Sequence, residues 1–396
     1  MKTHHSRLAA LWLGAALALG ASAGQARAAQ EELKIGFMGV FSGVQAALGQ
    51  DMYDGFMLYL KRHDGKLGGR KIKVIKADDQ LKPEVGVQIA KRLMDRDGVP
   101  IIVGVAFSNV MQAVHEPITS RKVFLIGTNA GPSQIAGKGC SPYFFSTSWQ
   151  NDQQAEVVGA YAKAQGYRKI VTMVPNYQSG FDFVTGFKRF YGGPLLNEIY
   201  TPLDQQDFSA ELAKIAAAQP DALFAFYPGG LGVNFLRQYQ QAGLLGKIPL
   251  LSASTTDAIN LPAQRESALG VITGTAWGPD LDNEANRNFV AAYEQEYGRT
   301  PAHYAAQGYD GAQLLDSALS KTGGDVQDKE AFMAALKQAD FPSVRGDFKF
   351  GNNHFPIQDM NIFEVAKDGR GRISLKTIAT PLKAHQDAYH AECALP

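Results

Sequence analysis

LKIGFMGVFSGVQAALGQDMYDGF, residues Leu33 to Phe56, carries the unit from which the rest of the chain is built. Leu33-Lys34-Ile35-Gly36-Phe37-Met38 is a strand-sized apolar run, and after a turn rich in small residues Met52, Phe56, Tyr59 and Leu60 recur on one helical face up to the Asp64-Gly65 turn. A strand followed by an amphipathic helix of this length is the first half of a βαβ unit. The alternation repeats: Lys71 to Ala77 is strand-like, Val85, Ile89 and Leu93 stripe a helix, and Ile101-Ile102-Val103-Gly104 and Val123 to Ile126 are further strands. It restarts at Asn151 with a helix to Ala164, a strand at Lys169 to Val174, a helix through Phe187 and a strand from Leu195 to Tyr200. Asp207 is placed to N-cap a helix bearing Phe208, Leu212 and Ile215. Strands follow at Ala222 to Phe226, Pro249 to Leu251 and Val271 to Ala276, then helices at Ala285 to Tyr297 and His303 to Leu319. Short β runs at Asn361 to Val365 and Ile373 to Ile378 close the chain. This pattern predicts an α/β protein with mainly parallel sheets flanked by helices. No low-complexity linker divides the halves, so short ordered crossings must join them.

At the N-terminus Lys2, His4, His5 and Arg7 precede an apolar run from Leu8 to Gly20 and the small residues of Ala26-Arg27-Ala28. Residues 1–28 therefore read as a cleavable export signal, too short in its apolar part for a membrane anchor, and the mature chain starts near Ala29. No Cys lies near the cleavage point to carry a lipid. A soluble periplasmic protein is expected. The remaining length and an apolar fraction of 45% suit two packed domains. With 39 basic against 38 acidic residues the net charge is +1, which provides no field to attract nucleic acid or an anionic membrane. Cys140 and Cys393 are the only cysteines. An oxidising compartment favours a disulfide between them, which would tie down the tail from Ala384 to Pro396; two buried thiols are the alternative.

Catalytic motifs are missing: there is no GxSxG, HExxH, GxxxxGK[ST] or CxxC. Gly36, Gly39 and Gly43 do not have GxGxxG spacing, His115-Glu116 point apart on a helix, and Arg345-Gly346-Asp347 reads as a turn. No catalytic residue, metal or cofactor is expected. What recurs is polar residues at the C-terminal ends of strands, where open α/β sheets bind ligands. These are Ser42, then Ser108 and Asn109 opening the helix of Val110, Val114 and Ile118, then Thr128 and Asn129. Tyr177, Tyr227, Ser254 and Trp277 hold similar places in the second half. Any one of them alone is accounted for as a cap, turn or core residue; their recurrence at equivalent strand ends favours a ligand.

KIGFMGVFSGVQAALGQDMYDGF (Lys34 to Phe56), VGVAFSN (Val103 to Asn109), SPYFFSTSWQND (Ser141 to Asp152), DFSAELAKI (Asp207 to Ile215) and YGRTPAHYAAQGYDG (Tyr297 to Gly311) resemble, in this order, the substrate-binding proteins of branched-chain amino acid type ABC importers. The resemblance implies the two-lobed type I periplasmic binding protein fold, with three crossings near Ser146 to Trp149, Trp277 to Asp280 and Ser343 to Gly346. Residues 29–148 plus 280–344 would form lobe 1 and 149–279 plus 345–396 lobe 2. It also implies a carboxylate held by Ser108 and Thr128 to Ala130. The position of the acidic residue that holds an ammonium in amino-acid binders falls in Ser252-Ala253-Ser254-Thr255, where no carboxylate stands; Asp257 fills the role if the register differs by a few residues. A buried ammonium without a counter-charge costs several kcal/mol. An aromatic acid of the benzoate or phenylpropanoid type, lying against Phe107, Tyr177, Tyr227 and Trp277, is therefore the expected ligand. The Cys140 and Cys393 pair and the Ser141 to Asp152 run resemble the aryl-acid branch of the family. The expectation is a monomeric receptor that delivers this solute to a membrane permease, with an amino acid receptor or an amide or urea sensor as alternatives and an enzyme as the competing class.

Overall fold

The computed structural model describes residues 32–395, so the export signal expected at 1–28 lies outside the described residues. β1 (Leu33–Gly39), β2 (Lys66–Leu67), β3 (Arg70–Asp78), β4 (Ile101–Gly104), β5 (Phe124–Gly127) and β6 (Phe144–Ser146) form one sheet in the order β2-β3-β1-β4-β5-β6. All its pairings are parallel except β2 with β3. β4 and β5 are buried along their whole length, as strands covered on both faces must be. The second sheet contains β7 (Ile170–Pro175), β8 (Leu195–Thr201), β9 (Ala222–Ala225), β10 (Leu250–Ser252), β11 (Ile272–Thr275), β12 (Lys349–Phe350), β13 (Pro356–Lys367) and β14 (Ile373–His385). Its order is β12-β13-β11-β10-β9-β7-β8, with β14 paired to β13. β7 to β11 run parallel, and the C-terminal hairpin adds to β11 antiparallel.

Apart from β6, which the sequence pattern does not predict, the parallel strands lie within a residue or two of the predicted ones. The last two β runs are longer than predicted, because the Asp368 carboxylate accepts from the amides of Arg370 and Arg372 and closes a turn that keeps both strands in register. Asp207 is not itself the cap of its helix. Ser209–Ala218 is helical, Phe208 is the N-cap residue, and Asp207 accepts from the Ser209 amide at 2.9 Å one position earlier.

Two lobes result, and the chain passes between them three times: between β6 and the helix Asp152–Ala164, between β11 and the helix Glu284–Tyr297, and between the helix Lys329–Lys337 and β12. The middle passage returns the chain to the first lobe, where the helix His303–Lys321 lies on the helix Ala46–Arg62. A Cβ at Gly55 would stand 2.0 Å from the Ala305 carbonyl, and one at Gly308 2.1 Å from that of Met52. Only glycine permits this approach. Fully buried Asp51 accepts from Tyr293 Oη at 2.7 Å and the Ala305 amide at 2.9 Å and pairs with Arg299, which fixes the returning segment.

The first and third crossings meet at Arg345. Its side chain is 1% exposed, and its Nη2 and Nε donate to Asp310 Oδ2 at 3.0 and 3.2 Å. Nη1 donates to the Ser148 carbonyl at 2.7 Å and to Gln358 Oε1 at 2.9 Å, and Gln358 Nε2 also donates to Ser148 O. Asp310 in turn accepts from Ser343 Oγ and the Val344 amide. Cys140 and Cys393 are joined by a disulfide, and Tyr389 of the tail donates to Asp152 Oδ2 at 3.0 Å.

Removing one partner of a buried ion pair leaves the other uncompensated. Arg345→Met should lower stability by about 3–5 kcal/mol in urea denaturation, and Arg345→Lys should restore little of it, because a single ammonium cannot reach all three acceptors. Breaking the disulfide by Cys140→Ser with Cys393→Ser should cost about 2–5 kcal/mol in the same measurement.

Candidate ligand-binding site

A chamber lies between the lobes at the C-terminal ends of the strands. Leu48, Ala106, Phe107, Asn129 and Ala130 wall it from the first lobe; Tyr177, Ser179, Phe183, Phe226, Pro228 and Ser254 from the second; Trp149, Asn151 and Gln154 from the first crossing and the helix after it; and Tyr304 from the returning helix. None of these residues is charged. The free volume is about 20 Å³, close to the space of a single water. A ring-sized solute therefore enters only when the walls part.

Ser108 and Ser179 stand at the starts of helices Ser108–Thr119 and Gln178–Tyr191, one from each lobe. Neither helix has a side-chain cap from its N-cap residue, Phe107 or Tyr177, so first-turn amides of both are without intrahelical partners. The two hydroxyls meet at 2.8 Å, and Asn151 Nδ2 donates to Ser108 Oγ, to Ser179 Oγ and, at 2.9 Å, to Asp182 Oδ2. Ser133 reaches across from the first lobe and donates to Asp182 through its amide and hydroxyl. Burial raises the Asp182 pKa while these donors oppose the rise. Two helix N-termini converging on one spot make a locus of positive potential without a formal positive charge.

Aromatic rings form the apolar wall. Phe183 stacks on Phe226 with centroids 3.9 Å apart, Tyr177 lies nearly parallel to Phe226 at 6.3 Å, and Phe107 stands 6.3 Å from Tyr177. His303, behind Trp149 and Tyr304, has its pKa lowered to about 3 by burial and is neutral. Ser254 Oγ donates to Gln154 Oε1 at 3.0 Å. Asp257 is absent from the wall: its Oδ1 accepts from the amides of Ile259 and Asn260, and burial raises its pKa to about 7.

Of the residues singled out in the sequence, Phe107, Asn129, Ala130, Tyr177 and Ser254 line the chamber, and Ser108 lies directly behind Asn151 and Ser179. Ser42 and Asn109 line a separate outer cavity of about 420 Å³ with Leu203, Asp204 and Gln206. The structure brings three others elsewhere. Thr128 is buried with Oγ1 against Met52 Sδ; Tyr227 packs on Phe208 and Phe235 with its hydroxyl at Thr201; Trp277 donates to Asn286 Oδ1 at 2.7 Å and packs on Phe289. Sequence reasoning missed, among others, Trp149, Asn151, Gln154, Ser179, Phe183, Phe226 and Tyr304. Phe226 directly precedes Tyr227, and Trp149 to Asn151 fall inside the Ser141 to Asp152 run. Among the described residues no cluster of His, Cys, Asp and Glu is placed to hold a metal, and no helix is long and apolar enough to cross a membrane.

The sequence profile described as "Periplasmic binding protein" matches residues 32–370. A Leu/Ile/Val-binding protein homolog of Brucella melitensis is 30% identical over 377 residues, covering 92% of this chain and 95% of the relative. A solute-binding protein of an ABC transporter from R. palustris, solved in complex with benzoate, is similar with a TM-score of 0.87 and 32% identity, covering 92% of this chain and 100% of that one. Another from Rhodopseudomonas palustris, in complex with 3,4-dihydroxy benzoic acid, has a TM-score of 0.83 at 32% identity, covering 90% and 99%. With this two-lobed architecture, its uncharged cleft and the match along nearly its whole described length, the chain belongs to the periplasmic binding protein family, as a non-enzymatic solute-binding protein of the ABC-transporter kind.

Proposed function

We propose that this protein is a periplasmic receptor for an aromatic carboxylate, which it encloses between lobe 1 (29–148 plus 280–344) and lobe 2 (149–279 plus 345–396) and hands to an import permease. One observation carries the reading: a chamber walled by the Tyr177, Phe226 and Phe183 rings, with two helix N-termini at one end and no charged side chain anywhere on its surface. The helix amides and the Ser108 hydroxyl suit a carboxylate. The rings suit a flat body. An α-amino acid would bring an ammonium that meets only Ser254 and Gln154 where an acid is needed. The R. palustris relatives solved with benzoate and a dihydroxybenzoic acid support the same ligand class. Closure is a population shift, because only the closed form touches the solute from both lobes.

Thermal-shift screening of the mature protein separates this reading from its rivals, since a ligand of the folded state raises its melting temperature. Benzoates should raise it; a response confined to leucine, isoleucine and valine, or to small amides, would overturn the proposal. Ser108→Ala should weaken benzoate binding by about 1 kcal/mol or more in calorimetry, through loss of a charge-assisted hydrogen bond.

Asp257 supplies a separate check. Asp257→Asn keeps the Oδ1 acceptor and should leave aryl-acid affinity within about threefold, whereas a counter-charge to an ammonium would lose far more. Its raised pKa means the native state binds the extra proton, so Asp257 favours folding below the ordinary carboxylate range and this contribution is lost as pH rises through about 7. The substitution should therefore raise the melting temperature at pH 8 and have little effect at pH 4.

A further inference from the structure

One residue of the chamber wall carries an acceptor that no protein group satisfies. Asn129 Oδ1 is buried and has no hydrogen-bond partner, while its Nδ2 donates to the Ala106 carbonyl at 2.6 Å. That bond fixes the polarity of the amide: turned over, it would set oxygen against oxygen at Ala106. The backbone of Asn129 is held as well, its carbonyl accepting from Ser148 Oγ at 2.9 Å. Gln154 shows the contrast. Its Nε2 is also unpaired, but its partner Ser254 Oγ can donate or accept, so either end of that amide can face the chamber.

An amide oxygen cannot bond to a carboxylate, which offers only acceptors, nor to an unsubstituted ring edge. It needs an O–H or N–H. We propose that Asn129 is a specificity determinant that selects, among aryl acids, those bearing a ring hydroxyl, whose proton is donated to Asn129 Oδ1 while the carboxylate occupies the Ser108 end. This rests on the aryl-acid reading of the chamber and adds to it a preference between members of that class. Benzoate would leave the acceptor buried and unpaired, a penalty that hydrogen-bonding sites turn into strong discrimination.

Calorimetry on the oxidised mature protein with benzoate, the three monohydroxybenzoates and the three monofluorobenzoates tests this, because fluorine is close to a hydroxyl in size but has no proton to donate. At least one hydroxybenzoate should bind about tenfold or more tighter than benzoate, and the fluoro analogue of the same isomer should lose that advantage. In Asn129→Ala the advantage of that hydroxybenzoate over benzoate should shrink to within about twofold. Benzoate binding as tightly as every hydroxybenzoate, a fluoro analogue matching its hydroxy counterpart, or a preference that survives Asn129→Ala would each overturn the inference while leaving the aryl-acid reading standing. Binding of none of the seven acids would instead overturn that reading, and the inference with it. The hydroxy and fluoro comparison on the unsubstituted protein decides the matter even where Asn129→Ala folds poorly.

Discussion

A guanidinium buried where two interlobe strands of chain meet is the constraint on which the remaining geometry depends. Arg345 belongs to the third crossing, Ser148 to the first and Asp310 to a helix of the first lobe, and all three converge on one planar fork. Taking a guanidinium out of water is costly, and burial pulls the Arg345 pKa down against the opposing pull of Asp310. Such a group persists only if each donor is answered, and the Asp310 carboxylate, the Ser148 carbonyl and Gln358 answer them. The crossings are thereby held at one relative position. Ser148 also donates to the Asn129 carbonyl, and Trp149 and Asn151 follow it into the chamber wall, so the hinge and the binding surface share consecutive residues.

The chamber wall carries no charged side chain. Two carboxyl groups lie just behind the wall, at Asp182 and Asp257; each accepts hydrogen bonds, and burial raises the pKa of both. At the surface itself there are hydroxyls, amides and rings. A carboxylate there meets oriented dipoles that need no reorganisation, whereas an ammonium meets the wrong end of the same dipoles. On the proposed reading, discrimination between an acid and a zwitterion would come from backbone direction at two helix starts as much as from any side chain.

The fold was legible because its central strands are buried on both faces: Ile101–Gly104 and Phe124–Gly127 are uninterrupted apolar runs between helical stripes, and no other element fits them. Strands of two or three residues, such as Lys66–Leu67 and Lys349–Phe350, carry no period to detect. In the site, strand-end logic reaches Phe107, Asn129, Tyr177 and Ser254, which directly follow or nearly follow a strand. It does not fix which way a side chain points once the strand has ended. Phe226 faces the chamber and Tyr227, the next residue, faces the Phe208 and Phe235 core. Trp149 and Tyr304 sit on a crossing and at a helix start, and reach the cleft only through the tertiary packing fixed by Arg345 and by the Gly55 and Gly308 contact.

The tightness of the chamber also governs timing. With about 20 Å³ free between its walls, the shut form has no room for a ring-sized solute. Entry then requires the whole clamshell to swing open, and the rate of capture is bounded above by the rate of that opening. The hydrogen bonds joining Ser108 with Ser179 and Ser133 with Asp182 span the gap and must break in that swing. They therefore act as an escapement that paces entry.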